Sequence, residues 1–356
     1  MNLKELAGHL SLSPTTVSRA LNGYPEVSEI TRARVRRAAA DLNYRPRHQA
    51  RQLATGRSLV LGHVVPRSLH ALIAPLFSDL LAGAGDAADE LGYDTHFRIV
   101  DDAKEEAHYR EIAASRRVDG VVLHGPLVAD PRIALLADLE LPFIVHGRSR
   151  VDVAHAWLDV DNAGAMRRAT ALLLDLGHRD VALVNGPEAL HFAHERRAGY
   201  LAALDAHGIA PEPSRLFSGP LAERGGHDAA AALLDGPRPP SAFACAGLLP
   251  AWGVLRAALA RGLVPGRDVS IVAYDDGVSW LSNRAEAGGE PPLTAVRGSL
   301  HEAGRRLVHH LAAAIDAPGT APAAETLPVE LVLGASTGPP ARRRAPSRGR
   351  RAPTAP

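Results

Sequence analysis

Cys245 is the sole cysteine among 356 residues, so no disulfide can close within the chain. No apolar run reaches the length that spans a bilayer. No apolar signal segment opens the chain either, so the expected compartment is the cytoplasm and an exported binding protein is set aside. Enzyme signatures are also missing. There is no phosphate-cradling Walker loop. Gly334-Ala335-Ser336-Thr337-Gly338 fits G-x-S-x-G, yet no His or acid follows Ser336, and the chain order of that triad fails. Gly83-Ala84-Gly85 sits inside a helical stretch rather than after a strand, where a dinucleotide loop belongs. His191, His194 and Glu195 stand beside two arginines, with no Cys or further ligand in sequence reach. Neither an enzyme, a metal site nor a cofactor is expected.

The near-zero net charge of +1 conceals a split. Residues 1–57 hold ten Lys/Arg against four Asp/Glu, and residues 338–356 hold six Arg and no acid. The stretch between them carries 24 basic and 35 acidic residues. A basic head on an acidic body suits a nucleic-acid-binding unit joined to a ligand-binding one. At 46% hydrophobic residues, the body can bury a sizeable core.

The head is the most informative segment. Leu3, Leu6, Ala7 and Leu10 share one face of a short helix. A turn follows at Ser11-Leu12. Ser13 then supplies an N-cap, and Pro14 takes the first helical position, where its missing N–H costs nothing. Val17, Ala20 and Leu21 form the apolar stripe of this second helix, and Thr15, Thr16, Ser18 and Arg19 occupy its other face. Two short helices with a tight turn, the second showing small polar groups and an arginine, fit a helix-turn-helix that reads the major groove. Arg19 has the planar fork that pairs with a guanine edge. A third helix is expected over about 28–42, packed through Val35, Ala38, Ala39 and Leu42. Its Arg32, Arg34, Arg36 and Arg37 are either phosphate contacts or a solvated face.

The run Ser13-Pro14-Thr15-Thr16-Val17-Ser18-Arg19-Ala20-Leu21-Asn22-Gly23, with Val27-Ser28 and Tyr44-Arg45-Pro46, resembles the LacI/GalR family of bacterial transcription regulators. The resemblance implies that Pro14, Thr15 and Arg19 face the major groove, with Ser13, Thr16 and Ser18 near bases or phosphates. It also implies a hinge helix over 46–56 that orders on operator DNA. A segment this short is unstable alone, so its folding can be coupled to binding. Leu53 matches the apolar wedge that opens a base step in the minor groove, and Arg47, Ala50 and Arg51 line the same side.

From Leu59 onward, short apolar runs alternate with amphipathic helical stretches. Strands are expected at 59–65, 95–100, 120–123, 143–146, 181–185, 242–246, 269–274 and 329–333. Helices are expected at 76–91, 104–115, 132–139, 163–176, 193–207, 226–234, 250–261 and 300–315. This alternation predicts an α/β body of two parallel-sheet lobes with a cleft at the strand carboxyl ends. The resemblance continues through Arg117-Val118-Asp119-Gly120, Asp159-Val160-Asp161-Asn162 and Val269–Asp276, and implies a periplasmic-binding-protein-like effector domain. Within the family, His146-Gly147-Arg148 and Val184-Asn185-Gly186-Pro187 look most like the α-glucoside and oligosaccharide branch. The expected organisation is a helix-turn-helix domain at 1–45, a hinge at 46–57, a two-lobed effector and dimerisation domain at 58–337, and a disordered basic tail at 338–356.

By the resemblance, Arg196 and Asp275 grip ligand hydroxyls; His124 and His146 lie at strand ends facing the expected cleft, and Arg148 follows closely. Three positions depart from the family pattern: Gly247-Leu248, Ala74-Pro75 and Pro220-Leu221. Each removes a polar or stacking partner from the pocket, so the site is expected to bind a sugar weakly or to take something less polar. The implied protein is a homodimeric repressor that binds a near-palindromic operator and is released by a small sugar. The alternatives are a cytoplasmic sugar-binding module and a regulator whose pocket takes a non-sugar effector. Leu53→Ala is expected to lower both operator affinity and DNA bending. A bend angle equal to that of the parent, measured by circular-permutation gel shift or FRET, removes Leu53 from the wedge role.

Overall fold

The computed structural model describes residues 2–21, 24–42, 44, 56–281, 283–284 and 289–341, without the side chains of 70–76. Arg47, Ala50, Arg51 and Leu53 of the expected hinge, and most of the basic tail, lie outside these residues.

Helices α1 (Leu3–Leu10), α2 (Pro14–Leu21) and α3 (Glu29–Asp41) make the head. Local chemistry sets their ends. Asn2 and Glu5 form a reciprocal capping box on α1. Ser11 turns left-handed at φ 53° to end it. Ser28 caps α3 by accepting from the Thr31 N–H at 3.3 Å. Leu6, Leu10, Val17, Ala20 and Val35 close a small core between the three helices.

The body has two six-stranded sheets. The first contains β1 (Val60–Pro66), β2 (Asp94–Val100), β3 (Gly120–His124), β4 (Phe143–His146), β5 (Ala156–Val160) and β11 (Ala324–Leu327), in the order β11-β5-β4-β3-β1-β2. The second contains β6 (Val181–Asn185), β7 (Leu216–Ser218), β8 (Ala242–Cys245), β9 (Ser270–Asp275), β10 (Thr294–Arg297) and β12 (Glu330–Val332), in the order β12-β10-β9-β8-β6-β7. All pairings are parallel except β12 on β10. Helices α4 (Arg67–Leu91), α5 (Glu105–Ser115), α6 (Pro131–Asp138) and α11 (Leu300–Asp316) cover the first sheet. Helices α7 (Asn162–Asp175), α8 (His191–Ala206), α9 (Glu223–Leu234) and α10 (Leu248–Leu259) cover the second. The chain crosses between the lobes after β5, after β10 and after β11.

Four strands, β5, β7, β10 and β11, were not expected from the apolar runs. Each has only three to five residues; Asp159 and Glu325 break β5 and β11, and β10 ends on Arg297. β7 and β11 are edge strands, which need bury little. Helix α4 starts at Arg67 rather than 76. Pro75 reads as a start signal, but Pro66 (φ −62°, ψ 146°) already caps the same helix. No described helix is long and apolar enough to cross a membrane.

Glycines set how closely the helices pair. A Cβ on Gly83 would lie 1.9 Å from the His301 carbonyl oxygen, and one on Gly304 would lie 2.0 Å from that of Leu80, so α4 and α11 meet backbone to backbone. Gly83 is thus a packing glycine rather than part of a nucleotide loop. In α10, a Cβ on Gly253 would lie 1.9 Å from the Glu223 carbonyl oxygen of α9. An exposed helical Gly→Ala change gains up to about 1 kcal/mol. Here the clash is with backbone that cannot swing aside. Gly253→Ala is therefore expected to destabilise by about 1–3 kcal/mol in urea unfolding, and a stabilised variant would show that the two helices part freely.

Candidate functional site

On the head, Val17 and Ala20 point inward while Pro14, Thr15 and Arg19 are exposed along one side of α2. The Ser13 hydroxyl accepts from the Thr16 N–H at 3.0 Å and lies 2.8 Å from the Thr16 hydroxyl. Ser13 and Thr16 are therefore the helix cap; Ser18 is half-buried beside them. The arginines of α3 divide. Arg32 donates to the Tyr24 and Val27 carbonyls and pairs with Glu29. Arg34 donates to the Leu10 carbonyl at 2.8 Å, satisfying the end of α1. Both brace the head, which leaves Arg36 and Arg37 as exposed cations on the same helix.

Between the lobes lies a cavity of about 920 Å³, counting its open mouth. Its walls come from the carboxyl ends of β3, β4, β5 and β9 and the starts of α7, α8 and α11. Its apolar lining is Phe77, Leu80, Leu158, Phe192, Leu221 and Leu300. The polar groups are His146, Asp159, Asn162, Arg196, Asp276 and Ser299.

Arg196 is the best-anchored of them. Its Nε donates to Asn162 Oδ1 at 2.9 Å and its Nη1 to the Ala246 carbonyl at 2.5 Å. The guanidinium carbon sits 3.7 Å from the Tyr274 ring centroid. Asn162 in turn donates to Asp159 Oδ1 at 2.9 Å, and Arg148 pairs with Asp159 Oδ2 at 3.1 Å. A polar chain thus runs Arg148–Asp159–Asn162–Arg196 across the first interlobe crossing. Arg148 does not line the cavity; it lies over Trp157 and orients Asp159.

Asp275 does not face the cavity. Its carboxylate takes the Arg297 Nε–H at 3.0 Å and the Gly277 N–H at 2.8 Å. Strand alternation explains the placement: Tyr274 and Asp276 share one side at the end of β9, and Asp275 takes the other. Applying that alternation to the sequence singles out Asp276. Burial raises the Asp276 carboxyl to about 6, against the opposing pull of Arg196. His124 is fully buried behind the wall, between His63 and Phe77, and only His146 of the expected histidines reaches the cavity. Burial lowers His63 and His146 to about 4 and His124 further, so all three rings are neutral near pH 7. His63, Asp159, Asn162, Phe192 and Tyr274 were not singled out from sequence as site residues. Leu221 does line the cavity, while buried Leu248 stands behind it. Ser336 is a structural hydroxyl: it donates to the Ile271 carbonyl and accepts from the Thr294 N–H.

Residues 58–333 match the family described as periplasmic binding proteins and sugar binding domain of LacI family. Residues 2–47 match the bacterial regulatory proteins of the lacI family. The chain is 40% identical to the HTH-type transcriptional regulator AglR of Rhizobium meliloti over 95% of both proteins. Among solved structures, a complex of the transcriptional regulator CelR with cellobiose superposes with a TM-score of 0.70 at 29% identity, covering 94% of this chain and 99% of that one. The lac repressor dimer bound to operator and the anti-inducer ONPF gives 0.77 at 27% identity, covering 95% and 99%.

The neutral histidines make stability depend on pH with a definite sign. The folded state resists protonating His63 and His146 until about 4, whereas an unfolded chain protonates them near the usual 6.5. Their contribution is complete above 6.5 and lost as pH falls toward 4. Asp276, raised from 3.8 to about 6, acts oppositely and penalises the fold as pH rises through that window. Urea titrations at both ends of the window should show a shallower acid loss in His63→Phe and a steeper one in Asp276→Asn. Parallel profiles for His63→Phe and the parent would mean that His63 takes up its proton over the same pH range folded as unfolded.

Proposed function

Because the chain belongs to the lacI family of bacterial regulatory proteins and is a helix-turn-helix transcriptional regulator, we propose that a small sugar seated between its lobes releases it from operator DNA. The observation carrying this reading is the interlobe cavity, where buried Arg196 and the Asp276 carboxylate, unpaired among the described residues, face one ligand space. A sugar supplies hydroxyls that both accept from a guanidinium and donate to a carboxylate. The apolar wall suits the C–H face of a pyranose. It also favours an oligosaccharide or glycoside over a very polar monosaccharide.

In this reading, residues 1–45 bind DNA, 46–57 form the hinge, 58–337 hold the effector and the dimer contact, and 338–356 form a basic tail. Pro14, Thr15 and Arg19 face the major groove. Ser13 and Thr16 fix the helix end that presents them, and Ser18 approaches the backbone. Arg47, Ala50, Arg51 and Leu53 enter the minor groove. His146, Arg196 and Asp276 contact the effector, and Arg148 positions Asp159. Two protomers read a near-palindrome, since paired heads related by a two-fold axis require one. The sugar favours a different lobe angle, and operator affinity falls by the ratio of its affinities for the two angles. Target genes for carbohydrate uptake or catabolism follow from that effector.

The test is fluorescence anisotropy on DNA from upstream of the protein's own and neighbouring genes, with a panel of mono- and disaccharides. Specific binding that one sugar releases is expected. Arg19→Ala should lose roughly 1–3 kcal/mol of sequence discrimination while keeping salt-dependent non-specific affinity. Specific binding that no sugar alters would exclude the sugar-release reading and favour a non-sugar effector.

A further inference from the structure

Three imidazoles stand in line behind the cavity wall, and their surroundings leave one order for their hydrogens. His63 Nδ1 lies 3.0 Å from His124 Nε2, and His124 Nδ1 lies 3.5 Å from His146 Nδ1. His63 and His124 stack at 17° between planes, and His146 meets His124 edge-on at 84°. Each contact needs one hydrogen and one lone pair, because two hydrogens collide and two lone pairs repel. Three neutral rings carry three ring hydrogens. Only two arrangements satisfy both contacts. In the outward order, His63 Nδ1–H donates to His124, His124 Nδ1–H donates to His146, and the last hydrogen sits on His146 Nε2. In the inward order every donor reverses, and the last hydrogen sits on His63 Nε2.

His63 Nε2 is buried and meets no hydrogen-bonding group among the described residues. The inward order would strand an N–H there, and a buried donor without an acceptor is the rarer defect in folded proteins. The outward order leaves only a bare lone pair.

We infer that the His63–His124–His146 chain fixes a hydrogen-bond donor, His146 Nε2–H, on the cavity wall, so that the effector must place an acceptor oxygen against it. The inference rests on the cavity being the effector site. It makes His146 a specificity-determining residue and His63 and His124 its positioning residues. A ring or glycosidic ether oxygen meets the requirement, as does a hydroxyl that accepts. An ammonium group at that point is refused, since both partners would be donors. The cavity then has a defined polarity: donors at His146 and Arg196, acceptors at Asp159 and Asp276.

The tautomers can be read directly. Full-length protein labelled with 15N is examined by long-range 1H–15N correlation at mildly alkaline pH, the rings being assigned through His63→Phe and His146→Gln. His63 and His124 are expected as Nδ1–H tautomers and His146 as Nε2–H. A hydrogen on His63 Nε2 overturns the proposal. A second arm uses calorimetry with cellobiose, maltose, sucrose and trehalose. For a disaccharide that binds, His146→Leu should weaken binding roughly tenfold or more, the cost of an unmet acceptor. His146→Gln retains a donor and should stay within about threefold of the parent. Parent-like binding by His146→Leu also overturns the donor role. If none of these sugars binds while the outward order is observed, the fixed donor stands and the disaccharide reading of the effector fails.

Discussion

Arg196 keeps a full positive charge out of bulk water, and among the described residues no carboxylate comes within ion-pair distance of it. A buried charge without such a partner has to be held by dipoles. Asn162, the Ala246 carbonyl and the face of Tyr274 do this, from three separate elements. Each holder is then constrained in turn. Asn162 must open α7 at the lobe crossing, Tyr274 must stand near the end of β9, and Ala246 must follow directly on β8. Asp159 and Asp276 supply negative charge at a distance. The cleft is thus shaped by one cation's need for company before any ligand arrives.

Features that depend on near neighbours were legible in the sequence. The head was readable because capping and the 3.6-residue stripe act over a few positions: Ser13, Pro14 and Val17 announce α2 without knowledge of the rest. The apolar runs at 120–123, 143–146 and 181–185 announced their strands in the same way. Strands β5 and β10 were not announced, because Asp159 interrupts the first for the sake of the site and the second is four residues long and ends on Arg297, the partner of Asp275. Propensity failed where function or a buried ion pair had overridden it.

The site was half legible. The family motif led to Arg196 and a strand end to His146, but the motif led to Asp275 where alternation along β9 puts Asp276 on the cavity. No local signal marks His63. It lies 61 residues from His124, and only the parallel register of β1 against β3 brings the two rings together. Contacts of that span belong to the sheet order, which short-range pattern does not encode.

The glycine seams between helices give the molecule an uneven tolerance of change. Where α4 meets α11 and α9 meets α10, even a methyl group meets backbone, so those positions are closed to variation. The cavity wall is built differently. Phe77, Leu221 and Leu300 reach it as side chains on a frame already locked elsewhere. Replacements there alter what is recognised without disturbing how the lobes are made. The signal that the molecule answers to is therefore open to change at positions such as Leu221 while the scaffold stays as it is.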